Sequence, residues 1–75
     1  MSVESEFVKY QRMWLRGMRG YFGVTQSRLA EMVTEEGVPW TRDQMASVEI
    51  GRRHLRAYEY GALKRAERRL FEEAR

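Results

Sequence analysis

Between Leu15 and Gly51 the chain is cut into short lengths by residues that start and stop helices. This punctuation constrains the fold more than any other feature of the sequence. Gly23 is a stop, because glycine takes the left-handed turn that ends a helix at little steric cost. Two residues on, Thr25 offers a side-chain oxygen to cap a new helix start. Gly37 and Pro39 end that second helix, since proline cannot continue one. Thr41-Arg42-Asp43-Gln44 then makes a capping box, with Gln44 three residues after the capping threonine, and Gly51 stops the third helix.

Hydrophobic spacing fills in the lengths between these marks. Ser2 caps a first helix over about residues 3–21, with Glu4 and Glu6 at its positive end. Phe7, Trp14, Leu15, Met18, Tyr21 and Phe22 give that helix one broad apolar face. The second helix carries Leu29, Ala30, Met32 and Val33 inward, and the third buries Met45 and Val48. From Leu55 to about residue 74 a long fourth helix sets Leu63, Ala66 and Leu70, with Tyr58 and Ala62, on its inner stripe. Its wet face is Lys64, Arg65, Glu67, Arg68, Arg69, Glu72 and Glu73. No strand pattern, repeat or low-complexity linker interrupts this, so the predicted architecture is an all-α bundle of four or five helices in one domain, residues 1–75.

Seventy-five residues lie near the lower limit for a fold held by an apolar core alone. A 43% apolar content with nine aromatics is enough for such a core and argues against disorder. The chain has no cysteine and one histidine, His54, which removes disulfides, thiolate zinc sites and Ser-His-Asp hydrolysis from consideration. His54 reads as a surface residue of the Arg52-Arg53-His54 link, without proton chemistry. No apolar run approaches the ~18 residues of a membrane span, and no signal-peptide core is visible at the N-terminus. A cytoplasmic protein without cofactor, metal or evident small-molecule ligand is the expectation. Twelve of the fourteen basic residues are arginine, whose planar fork suits phosphate and guanine. A GC-rich genome gives the same bias, so a net charge of +3 favours nucleic acid only weakly.

The ordered set Leu15-Arg16-x-x-Arg19, Gly23-Val24-Thr25-Gln26, Leu29-Ala30-Glu31 and Val48-Glu49-x-Gly51-Arg52-Arg53 resembles the Cro/C1-type (XRE-like) helix-turn-helix domains of phage repressors and bacterial regulators, in an actinobacterial or actinobacteriophage form. It covers residues 15–55, just over half the chain. One departure is a lengthened turn, Thr34 to Trp40; compact members of the family reach the glutamate matching Glu49 several residues sooner.

The resemblance implies a lambda-repressor-like fold in which the third helix enters the major groove of double-stranded DNA. Arg42, Asp43, Ala46 and Ser47 share that helix's outward face. Arg42 then suits a bidentate guanine contact, Asp43 either accepts from a cytosine amine or orients Arg42, and Ser47 bonds a base edge. Gln26 and Arg28 fall where the family grips phosphates, with Thr41, Gln44, Arg52 and Arg53 at the backbone or flanking the groove, Gln44 serving also as the capping partner. Arg19 and Glu49 match the family's structural ion pair. Trp40 reads as a turn residue packed on the core. The long C-terminal helix either folds back to complete the core or forms a homodimer near Leu70, Phe71 and Ala74; both hold if one face packs and the end meets a partner.

The function implied is a sequence-specific transcriptional regulator, a phage repressor or Cro-like protein, working in a bacterial nucleoid or infected host cytoplasm. Two other readings use the same residues: a protein-interaction module such as an antitoxin or anti-repressor, and a DNA-architectural or excision accessory factor. An enzyme is not expected, because Glu31 and Glu49 have no second catalytic group at a definable spacing.

Overall fold

A computed structural model describes residues 6–74, which form four helices: α1 (Glu6–Phe22), α2 (Gln26–Glu35), α3 (Arg42–Glu49) and α4 (Ala57–Glu73). There is no strand among the described residues. Ser2 and Glu4, expected at the start of α1, lie outside them; Glu6 supplies the acid in the first turn.

The punctuation works as local chemistry requires. The Thr25 side chain accepts from the Arg28 amide at 3.0 Å. Thr41 and Gln44 close the reciprocal box, with Thr41 N donating to Gln44 Oε1 (2.9 Å) and Gln44 N donating to Thr41 Oγ1 (3.2 Å). After α1, α2 and α3 the chain turns on Gly23, Gly37 and Gly51, at φ of 66°, 100° and 80°. In each case the next amide donates back to a last-turn carbonyl: Val24 to Arg19, Val38 to Val33 and Arg52 to Ser47. These are Schellman closures, and they satisfy carbonyls that would otherwise be orphaned.

α3 packs on α1 and α2, and α4 lies back on α2. Leu15, Leu29, Met32, Val33, Met45, Val48, Ala62, Leu63 and Ala66 are almost fully buried between them. Trp14 meets Tyr60, and Phe22 meets Phe71 edge-on at 4.8 Å, which ties α1 to α4. Leu70 is buried, so of the positions expected to meet a partner through α4 it is Phe71 and Ala74 that stay exposed.

Three residues expected inside are outside. The buried line of α1 starts at Gln11 and continues through Leu15 and Met18. Phe7, 64% exposed, precedes the first covered turn, and Tyr21, 77% exposed, falls beside the line. On α4 the inward position belongs to Glu59, which leaves its neighbour Tyr58 in solvent. α4 also begins at Ala57 and not at Leu55: Arg56 is extended, its amide donates to Glu59 Oε1 at 2.9 Å and caps the helix there, and the Leu55 amide donates to buried Gln11 Oε1 at 3.0 Å.

Two glycines inside α1 have no conformational or packing reason within the chain. Each costs the helix about 0.5–1 kcal/mol relative to alanine. A Cβ built at Gly17 or Gly20 would meet nothing within 4 Å.

The turn between α2 and α3 is pinned from both sides. Thr34 Oγ1 accepts from the Trp40 amide (3.0 Å), and its hydroxyl is within donating reach of the Ala30 and Trp40 carbonyls. From α4, Arg65 bonds the Glu36 carboxylate and carbonyl, while Arg69 bonds Glu35 and Glu36. Trp40 is buried, and its indole donates to Glu59 Oε2 at 2.9 Å.

Glu59, 1% exposed, also accepts from Arg53 Nη2 and from the Arg56 amide. Burial pushes its pKa up, but the Arg56 amide, the Trp40 indole and the Arg53 guanidinium together outweigh it and hold the group below its ordinary 4.5. A carboxylate whose pKa is lower folded than unfolded adds stability above the unfolded value and loses it as pH falls through the folded one. Thermal midpoints should therefore decline as pH drops below about 4.5, and the Glu59→Gln variant should show a flatter acid limb than wild type. An acid limb of equal slope in the two proteins would show that Glu59 is not the titrating group.

Candidate nucleic-acid interface

α3 is eight residues long, and its two faces are divided sharply. Met45, Val48 and Glu49 point inward and are buried. Glu49 is held by two parallel hydrogen bonds, from Arg19 Nε to Oε2 (2.6 Å) and from Arg19 Nη2 to Oε1 (2.8 Å). Gln26 Nε2 adds a third at 3.3 Å, and Arg19 Nη1 also reaches the Val24 carbonyl. The bond to Glu49 raises the Arg19 pKa against the opposing effect of desolvation. One bidentate arginine thus fixes the end of α3 to the last turn of α1 and to the start of α2.

The opposite face carries Arg42 and Asp43, both exposed, with Ala46 and Ser47 half-buried behind them. Spacings of four and eight residues from Ala46 and Arg42 bring Ile50 to the same side, and it is 60% exposed. Arg42, Asp43 and Ser47 make no side-chain hydrogen bond or ion pair among the described residues. Asp43 also sits in the first turn of α3, where its charge complements the helix dipole.

The other candidate residues divide by what they touch. Thr41 and Gln44 are joined in the capping box. The Gln26 side-chain amide, at the start of α2, is directed at Glu49, at the end of α3. Arg28 bonds Glu31 at 2.7 Å and lies 3.6 Å from Glu35, along the surface of α2. Arg53 is drawn inward by Glu59 and lies 5.7 Å over the Trp40 ring. Arg52 is exposed and has no ion pair among the described residues. Arg42 and Arg52 are therefore cations available to a ligand, whereas Arg28 and Arg53 are engaged within the chain.

The local charge follows from this sorting. Between Gly37 and Tyr58 the exposed charges among the described residues are Arg42, Asp43, Arg52 and Arg56, with His54 beside them. Glu49 is buried and neutralised. The surface around α3 is thus positive without a dense cationic patch. No group of three or more metal-ligating side chains occurs among the described residues, and none of their helices is long and apolar enough to cross a membrane.

Ile50, Gln11 and Glu59 are absent from the residues singled out by sequence. Helical spacing was the available signal for all three: Ile50 follows Ala46 by four, Gln11 precedes Leu15 by four, and Glu59 precedes Leu63 by four. No family model, curated protein or solved structure matches the chain.

Removing one partner of the Arg19–Glu49 pair strands the other charge in a mostly buried site. Glu49→Ala should cost about 3–5 kcal/mol of unfolding free energy by denaturant titration. Asp43→Ala, on the exposed face of the same helix, should stay within about 0.5 kcal/mol of wild type. Equal losses in the two variants would refute the division of α3 into an anchored and a free face.

Proposed function

We propose that this chain is a sequence-specific double-stranded-DNA-binding regulator of the Cro/C1-type helix-turn-helix kind, a repressor or Cro-like protein that reads the major groove with α3. One observation carries the reading. α3 is anchored from behind by Arg19–Glu49 and Gln26, while Arg42 and Asp43 are exposed, Ser47 is half-buried beside them, and none of the three makes a side-chain bond among the described residues. Exposed side chains held on a fixed short helix are what base readout needs, since bidentate contacts tolerate little positional error.

In this reading Arg42 recognises guanine through O6 and N7, with Asp43 beside it to orient the guanidinium or accept from cytosine. Ser47 approaches a base edge closely. Ile50 adds an apolar surface suited to a thymine methyl group. Arg52 contacts phosphate. At the start of α2 the Thr25 cap takes the Arg28 amide, which leaves the Gln26 and Ser27 amides at the positive helix end for the DNA backbone.

Selection of bound sites from a random duplex pool should yield a defined motif. Against that motif, Arg42→Ala should relax preference at one base pair and cost about 1–3 kcal/mol. Arg52→Ala should weaken all duplexes alike and make the log–log salt dependence shallower by about 0.9. No enriched motif, or unchanged base preference in Arg42→Ala, would sink the assignment.

A further inference from the structure

Beside its buried line, α1 carries a second apolar line in which Phe7, Tyr10, Trp14, Gly17 and Tyr21 alternate at spacings of three and four, all exposed but Trp14, which is half-buried against Tyr60 of α4. Phe7, Tyr10, Met13 and Tyr21 are 64%, 61%, 61% and 77% exposed, and Phe71 of α4 extends the surface at 52%. Met13, Trp14, Gly17, Tyr21 and Phe71 line one shallow groove along it, with the Glu67 carboxylate of α4 at its side. We infer that this face of α1 is a self-association surface, and that its occupant is α1 of a second copy of this chain, lying antiparallel.

Three features of the surface select that occupant. The three-four alternation is the spacing with which one helix packs along another. Next, the line is self-complementary under a twofold axis. Tyr10 and Gly17 are equidistant from the point between Met13 and Trp14, so antiparallel copies centred there set each exposed Tyr10 against the other's Gly17. A bulky side chain then meets a position with no side chain, twice, as an isologous contact requires. Gly17 has no reason to be glycine within one chain, since a Cβ there meets open space; a second helix passing over it supplies the reason.

Area is the third feature. Scaling a typical aromatic surface of ~200 Å² by the five exposures gives about 600 Å² per copy, or about 1,200 Å² in total. That is the lower edge for a specific interface, which sets the expectation of a reversible dimer, not a permanent one. None of these residues belongs to the outward face of α3, so the inference stands whether or not the chain binds DNA.

Sedimentation equilibrium should show a concentration-dependent passage from 9.0 kDa to twice that mass. Gly17→Gln fills the notch with a good helix former. It should weaken dimerisation at least about tenfold while leaving the thermal midpoint of the dilute monomer equal or higher. Because the chain has no cysteine, a variant combining Tyr10→Cys and Gly17→Cys gives a second readout. The two positions are separated by about 10.5 Å along one helix, beyond disulfide reach, so oxidation should bridge two copies and not one. A mass of 9.0 kDa at every concentration, or an undiminished dimer in Gly17→Gln, would overturn the proposal.

Discussion

Taking the Glu59 carboxylate out of water costs several kcal/mol unless hydrogen bonds and an opposite charge replace its hydration. Here the replacements are the Trp40 indole, the Arg53 guanidinium and the Arg56 amide. Each donor comes from a different place: the turn before α3, the link after it, and the start of α4. One buried charge therefore fixes both ends of the segment that contains α3. An apolar residue at 59 would fill the space, but it would leave Trp40 Nε1 and the Arg56 amide without acceptors and the direction of the turn unspecified.

The second buried carboxylate completes the arrangement. Glu49 lies at the C-terminal end of α3 and is gripped from α1 and α2, whereas Glu59 controls the approach to the helix from the other side through Trp40. Together they hold an eight-residue helix, which has too little apolar surface of its own to be stable alone. The turn between α2 and α3 therefore adds an anchor. Trp40, Thr34 and the Arg65 and Arg69 contacts make this turn a packed strut.

Helix number and the limits and capped starts of α2 and α3 were legible in the sequence because each is set by local chemistry. Thr25, Thr41, Gln44 and the three positive-φ glycines act on neighbours within a few residues. Legibility failed where partners are distant. A glutamate on a helix looks solvent-facing until Trp40 and Arg53, 19 and 6 residues away, are seen to converge on it. Phe7 and Tyr21 looked internal because apolar spacing shows that a face exists, not what covers it. Arg28 and Arg53 have the same side chain as Arg42, and only the position of Glu31 and Glu59 separates an engaged arginine from a free one.

That last distinction decides how the charge of the chain is to be understood. Arg19, Arg28, Arg53, Lys64, Arg65 and Arg69 are each paired with a carboxylate. The formal excess of +3 is therefore not spread evenly over the surface. Glu35 and Glu36 clamp α2 to α4 through Arg65 and Arg69, while Glu67 is paired with Lys64 within α4. The region from Gly37 to Tyr58 keeps a single exposed acid among the described residues, Asp43. Arg42, Arg52 and Arg56 against that one acid leave the surface around α3 locally positive. A modest net charge thus gives a local excess around α3, as Lys9 and Arg16 do on α1, without any dense run of basic residues in the sequence.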